Sequence, residues 1–168
     1  MADLAAELEP HIPAVRRYAW SLLRHREAAD DLVQDVLERA ISRWHFRRKD
    51  ASTRAWLLTI ARNLFLNGVR QGGRQGRHMP LDDMEVPAPE LGADRTLIAR
   101  DALTALQGMR EEERSLLLLI GVEDLSYREA AQAFDVPEGT IMSRLSRARA
   151  RLRQLVEGGE RVPLRRVK

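Results

Sequence analysis

With 168 residues, no cysteine and no apolar run longer than Leu116 to Val122, the chain offers no disulfide framework, no thiolate metal site and no membrane-spanning helix. Charged residues make up 32% and aromatics 5%, a balance that argues against a β-sandwich and for a soluble helical protein of one large or two small domains. The formal net charge is only +3, so any acidic partner must be read from where the basic residues stand and not from their sum.

The N-terminus, MADLAAELEPHIPAV, carries acidic residues where a secretory signal needs a basic start and an apolar core, which predicts a cytoplasmic protein. A first helical block is expected over residues 5–71. Leu8, Ile12, Val15, Ala19, Leu22 and Leu23 repeat with helical spacing. Ala29, Leu32, Val33, Val36, Leu37, Ala40, Ile41 and Trp44 then step by three and four and predict one broad apolar face. Asp31, Gln34, Asp35 and Glu38 fall on the opposite side, where they either keep the helix soluble or meet a partner. After the basic turn HFRRKD, Ser52 or Thr53 is expected to cap a helix running through TRAWLLTIARN, with Leu57, Ile60, Ala61 and Leu64 packing inward.

Residues 72–95 read as a linker: glycine, proline and charges dominate and apolar periodicity is lost. A second helical block is expected over 96–157, followed by a basic tail over 158–168. TLIARDALTAL and EEERSLLLLIGV are both helical in pattern. Ser126 followed three residues later by Glu129 is the signature of a capping box. Asp135 and Glu138 repeat a similar signal, and Pro137 suits a first helical turn. Helix, tight turn and helix have the dimensions of a helix-turn-helix. The expected fold class is all-α: two small helical domains joined by a flexible linker.

The last helix has a legible orientation. With Ile141 at zero, Leu145, Ala148, Leu152, Leu155 and Val156 lie within about 60° of it at 100° per residue, forming a seam against the domain. The opposite strip holds Ser143, Ser146, Arg147, Ala150 and Gln154, with Thr140, Arg144 and Arg151 on one flank and Arg149 and Arg153 on the other. From Thr140 to Val156 no acidic residue occurs, whereas a merely solvated basic helix usually interleaves Glu with Arg. Small residues at the centre let a backbone approach base edges, and flanking arginines suit phosphates. The plainer alternative is an ordinary solvated face.

Nothing in the chain predicts catalysis. The four histidines are scattered, no pair has metal-ligand spacing, and no P-loop, GxGxxG or nucleophile motif occurs, so neither a metal nor a cofactor is expected.

Three segments in order carry a resemblance. AADDLVQDVLERAISRW resembles the region 2 core helix of the extracytoplasmic-function (group IV) sigma factors of bacterial RNA polymerase. RAWLLTIARN looks like their promoter-melting segment, and LSYREAAQAFDVPEGTIMSRLSRARARL like their region 4 helix-turn-helix. The resemblance covers almost the whole chain, with a short linker in place of a region 3 domain. It implies that Asp31, Gln34, Asp35 and Glu38 dock on the polymerase β′ clamp helices. It implies that Asn63 and the turn from Leu64 to Asn67 form a pocket for a flipped base of the −10 element, with Arg62, Arg70, Arg74 and Arg77 on the strand's phosphates. Trp56 either supports melting or belongs to the core, as a helix-borne Trp usually does. Region 4 would read the −35 element through Thr140, Ser143, Arg144, Ser146 and Arg147, with Arg149 and Arg151 on the backbone. Its SLLLLIGVE helix would help hold the β flap. Met142 stands where many relatives carry Lys or Arg.

The resemblance also implies a protein that is monomeric when free, promoter DNA and core polymerase as partners, and an anti-sigma factor that competes with polymerase. AADDLVQDVLERA and LIGVEDLSYREAAQAFDVPEGTIMSRLSR look closest to the general-stress subgroup of alphaproteobacteria. Two other readings stand beside it: a sigma-like decoy that sequesters an anti-sigma factor, and a helix-turn-helix repressor. The retained arginines argue against the first. The second leaves the acidic block unexplained.

Overall fold

A computed structural model describes residues 2–48, 51–72 and 93–159. Its elements are α1 (Ala2–Leu8), a 3-10 turn (Glu9–His11), α2 (Ile12–Leu23), α3 (Arg26–Arg43), a 3-10 turn (Trp44–Phe46) and α4 (Thr53–Arg70), then α5 (Ala93–Gln107), α6 (Glu111–Gly121), α7 (Tyr127–Phe134) and α8 (Glu138–Gly159). No strand occurs among the described residues. Helix α5 starts at Ala93, a little before the expected end of the linker.

The first helical pattern does not run as one helix. Pro10 and Pro13 lack the N–H that an uninterrupted helix would use, and the chain passes through a 3-10 turn between α1 and α2. Helix α2 ends where Arg24 turns left-handed (φ 53°), and the His25 ring nitrogen Nδ1 then accepts from the Ala28 N–H to start α3. Ser52 caps α4 by accepting from the Ala55 N–H at 3.3 Å.

Helices α2, α3 and α4 pack around Tyr18, Leu22, Leu32, Val36, Leu57, Leu58, Ala61 and Phe65, all buried. The expected apolar faces need two corrections here. Ile41 is 54% exposed, because α3 outruns the helices that cover it. In α4 the deepest side chains include Leu58 and Phe65, while Ile60 and Leu64 are only half-buried. In the second unit, Ile141, Leu145 and Ala148 of α8 are buried as the seam predicted, Leu152 and Leu155 are half-buried, and Val156 is exposed because the seam runs out beneath it.

The capping box forms: Ser126 Oγ accepts from the Glu129 N–H, and the Glu129 carboxylate accepts from the Ser126 N–H at 2.9 Å. The second signal resolves differently. Asp135 does not cap α8 but closes α7, in the left-handed region at φ 53°. That position usually takes glycine, because a Cβ is disfavoured there. Asp135→Gly is therefore expected to stabilise the chain by about 0.5–1 kcal/mol, measured as a raised midpoint in urea unfolding with an unchanged slope.

The two units share one continuous core and pack face to face, α6 on α2 and α4, and α7 on α4. The polar groups at this junction are satisfied across it. Tyr18 Oη and Ser115 Oγ hydrogen-bond at 2.6 Å, both fully buried. Burial pushes the Tyr18 hydroxyl above its ordinary pKa, so it stays protonated. The Glu123 carboxylate, with no exposed surface, accepts from Arg17 at 2.8 and 2.7 Å and from Arg54 at 2.8 Å. Arg54 also donates to the Glu123 carbonyl.

Candidate nucleic-acid interface

The strip on α8 faces outward. Ser143, Ser146, Arg147, Arg149, Ala150 and Arg151 are exposed, while Thr140 and Arg144 are half-buried. The helix starts just after Pro137, whose carbonyl accepts from the N–H groups of Thr140 and Ile141 and so fixes the first turn. Ser143 Oγ donates to the Thr140 carbonyl, and Arg147 Nε makes a long 3.4 Å bond to the Ser143 carbonyl, leaving the rest of that guanidinium to solvent. Met142 is exposed on the same turn.

A second basic surface lies on the first unit. A cleft of about 470 Å³ opens between α3 and α4, lined by Arg39, Arg43, Trp56, Asn63, Leu64, Asn67 and Arg70, with Arg62 at its floor. That size falls in the range of roughly 300–1,000 Å³ typical of pockets for small organic ligands. No carboxylate lines it, so a polyanion meets no repulsion inside. The structure thus brings together Trp56, Asn63, Leu64, Asn67 and Arg70 as expected. Arg74 and Arg77 lie outside the described residues.

Three features of the cleft differ from expectation. Arg39 and Arg43 were missed: they sit one turn apart at the end of α3, and the acidic residues earlier on that helix drew the reading to another face. Trp56 is half-buried edge-on against Trp44 at 6.0 Å, as a core residue, and yet also lines the cleft. Arg62 is covered in this packing and does not face a strand's phosphates. It is buried, donates to the Ala133 carbonyl at 3.2 Å and lies 3.8 Å over the Phe134 ring. Its Nε has no acceptor, and burial pushes its pKa below the ordinary value. The correction has a long-range cause: the covering residues come from α7, in the other unit.

On the adjoining face of α3, Asp31, Gln34 and Glu38 are exposed and Asp35 is half-buried. Gln34 donates to Glu38 at 3.1 Å across one turn. Helix α6, expected to meet the β flap, turns Leu116, Leu118 and Leu119 into the core. Among the described residues no cluster of His, Cys, Asp and Glu has the arrangement of a metal site, and no helix is long and apolar enough to cross a membrane.

Known proteins carry these units together. Residues 8–61 match the family model described as the Sigma2 domain of PhyR, and residues 99–152 match Sigma-70, region 4. A curated relative, the ECF RNA polymerase sigma factor EcfG of Rhodopseudomonas palustris, is 33% identical over 151 residues, covering 89% of this chain and 83% of its own length. Among solved structures, the sigma factor RpoE of Bartonella quintana, in complex with the anti-sigma factor NepR, superposes with a TM-score of 0.76 at 33% identity over 94% of this chain and 98% of that one. CnrH, in complex with the cytosolic domain of CnrY, gives 0.68 at 25% identity over 92% and 88%.

Proposed function

We propose that this chain, which belongs to the extracytoplasmic-function sigma factors of RNA polymerase, uses the α3–α4 cleft to hold the −10 element and the outer strip of α8 to read the −35 element. The observation that carries this reading is the pair of acid-free basic surfaces, one on each unit. A regulator with one operator contact needs only the strip. A protein that both locates and opens a promoter needs a second surface that takes single-stranded DNA.

In this reading residues 5–71 form region 2, residues 96–157 form region 4 and the tail from 158 stays outside both. Thr140, Ser143, Arg144, Ser146 and Arg147 lie nearest base edges, and Arg149 and Arg151 nearest phosphates. Asn63, Leu64 and Asn67 take the flipped base, and unstacking it costs a few kcal/mol that polymerase binding offsets. Trp56 supports the melted junction, and Arg39, Arg43 and Arg70 hold the strand. Asp31, Gln34, Asp35 and Glu38 dock on the β′ clamp helices. Nucleotidyl transfer belongs to the polymerase and this chain contributes no reacting group. It works in the cytoplasm, where its polymerase is.

An anti-sigma factor is the natural regulator of such a chain. The similarity to an EcfG and to an RpoE held by NepR supports a place in the alphaproteobacterial general-stress subgroup. The decoy reading has one observation in its favour, the match of the first block to a sigma-like domain of PhyR. The arginines kept on α8 and around the cleft favour the sigma factor, because a decoy has no use for them. Run-off transcription with purified core polymerase decides. Promoter-dependent transcripts that appear only when the chain is added are expected; sequestration of an anti-sigma factor without any transcript would establish the decoy instead.

A further inference from the structure

We propose that the packing of the second unit on the first is an autoinhibitory lock in the free chain, fastened by Glu123 and masking Arg62. The masking rests on the promoter reading above; the lock itself does not.

Glu123 has no exposed surface, yet its carboxylate faces two guanidinium groups that both come from the other unit, Arg17 in α2 and Arg54 in α4. A buried carboxylate is tolerated only while it is paired, so these ion pairs and the closed arrangement form or break together. Arg54 grips the same residue twice, through the side chain and the backbone carbonyl. The Tyr18–Ser115 hydrogen bond crosses the same junction.

Closure exacts a cost at a second point. Arg62 is covered by Phe134, keeps an Nε without an acceptor, and has no ion pair among the described residues. Burial disfavours its charge most, and Arg70 and Arg144 repel it, while Glu112 of α6 offsets part of that. A cation held in this way, by a ring face, the Ala133 carbonyl and the Asn63 amide oxygen at 3.0 Å, is better satisfied by an anion than by these neutral partners. The closed form is therefore held by one charge and strained by another. A ligand that presents phosphate to Arg62 binds only the open form, and shifts the balance by that difference in affinity.

Absence of native cysteine makes the test direct. Cysteines introduced at Ser42 and Gln154, both exposed and one on each unit, carry a donor and an acceptor dye for single-molecule energy transfer on the full chain, without polymerase or DNA. The parent is expected to show one high-transfer population. Glu123→Ala and, separately, the double variant Arg17→Ala/Arg54→Ala are expected to raise the low-transfer population at least tenfold while far-UV circular dichroism keeps its helical signal. The double variant leaves the second unit's own residues intact, so it decides the matter if Glu123→Ala loses helix. A folded double variant with the parent's transfer distribution overturns the lock. A variant that opens but still drives no promoter-dependent transcript keeps the lock and removes the promoter reading.

Discussion

Arg147→Ala is expected to weaken the binding of the polymerase complex to promoters with a −35 element by about 1–3 kcal/mol, roughly five- to 150-fold. The side chain sits at the centre of the outer strip of α8, exposed, and is held among the described residues by a long bond to the Ser143 carbonyl. Nothing in the fold depends on it, so core polymerase binding and thermal stability are expected to be unchanged. Anisotropy titrations on labelled duplexes with and without the −35 sequence separate two kinds of loss. A base contact loses affinity on the specific duplex alone. A phosphate contact loses it uniformly and lowers the salt slope by about one. A variant that fails to bind polymerase would mean that α8 has been assigned to the wrong partner.

Ser115→Ala is expected to destabilise the folded chain by about 1–3 kcal/mol, because it leaves the Tyr18 hydroxyl buried without a partner. Neither group has an alternative: Tyr18 is 1% exposed and Ser115 0%, and they come from helices of different units. Tyr18→Phe removes the other half of the bond and is expected to cost a similar amount. The double variant Tyr18→Phe/Ser115→Ala is expected to cost less than the sum, since it leaves no orphaned group. Urea unfolding of the four proteins closes the cycle. Additive effects near zero would mean that the two units are apart in solution.

Local periodicity carried far in this chain. The seam of α8, the exposed strip behind it and the capping box at Ser126 follow from spacings of three and four residues, and those spacings act within one helix. Periodicity says which side of a helix is apolar but not where its neighbour ends, which is why Ile41 and Val156 are exposed. It says nothing of contacts between units. Arg62 meets Ala133 across 71 positions and Glu123 meets Arg17 across 106, and neither pairing leaves a mark on its surroundings in the sequence. In Asp135 the same residue type is compatible with an N-cap and with a left-handed C-cap; the geometry of the turn selected the second.

The stack of Arg62 on Phe134 has a consequence for how this position can drift over generations. A phosphate can be met by the point charge of a lysine as well as by the fork of an arginine. The flat guanidinium lies over a ring and reaches a carbonyl at the same time, a combination that a lysine ammonium does not reproduce. Position 62 is therefore confined to arginine by its packing, independently of anything else that meets it.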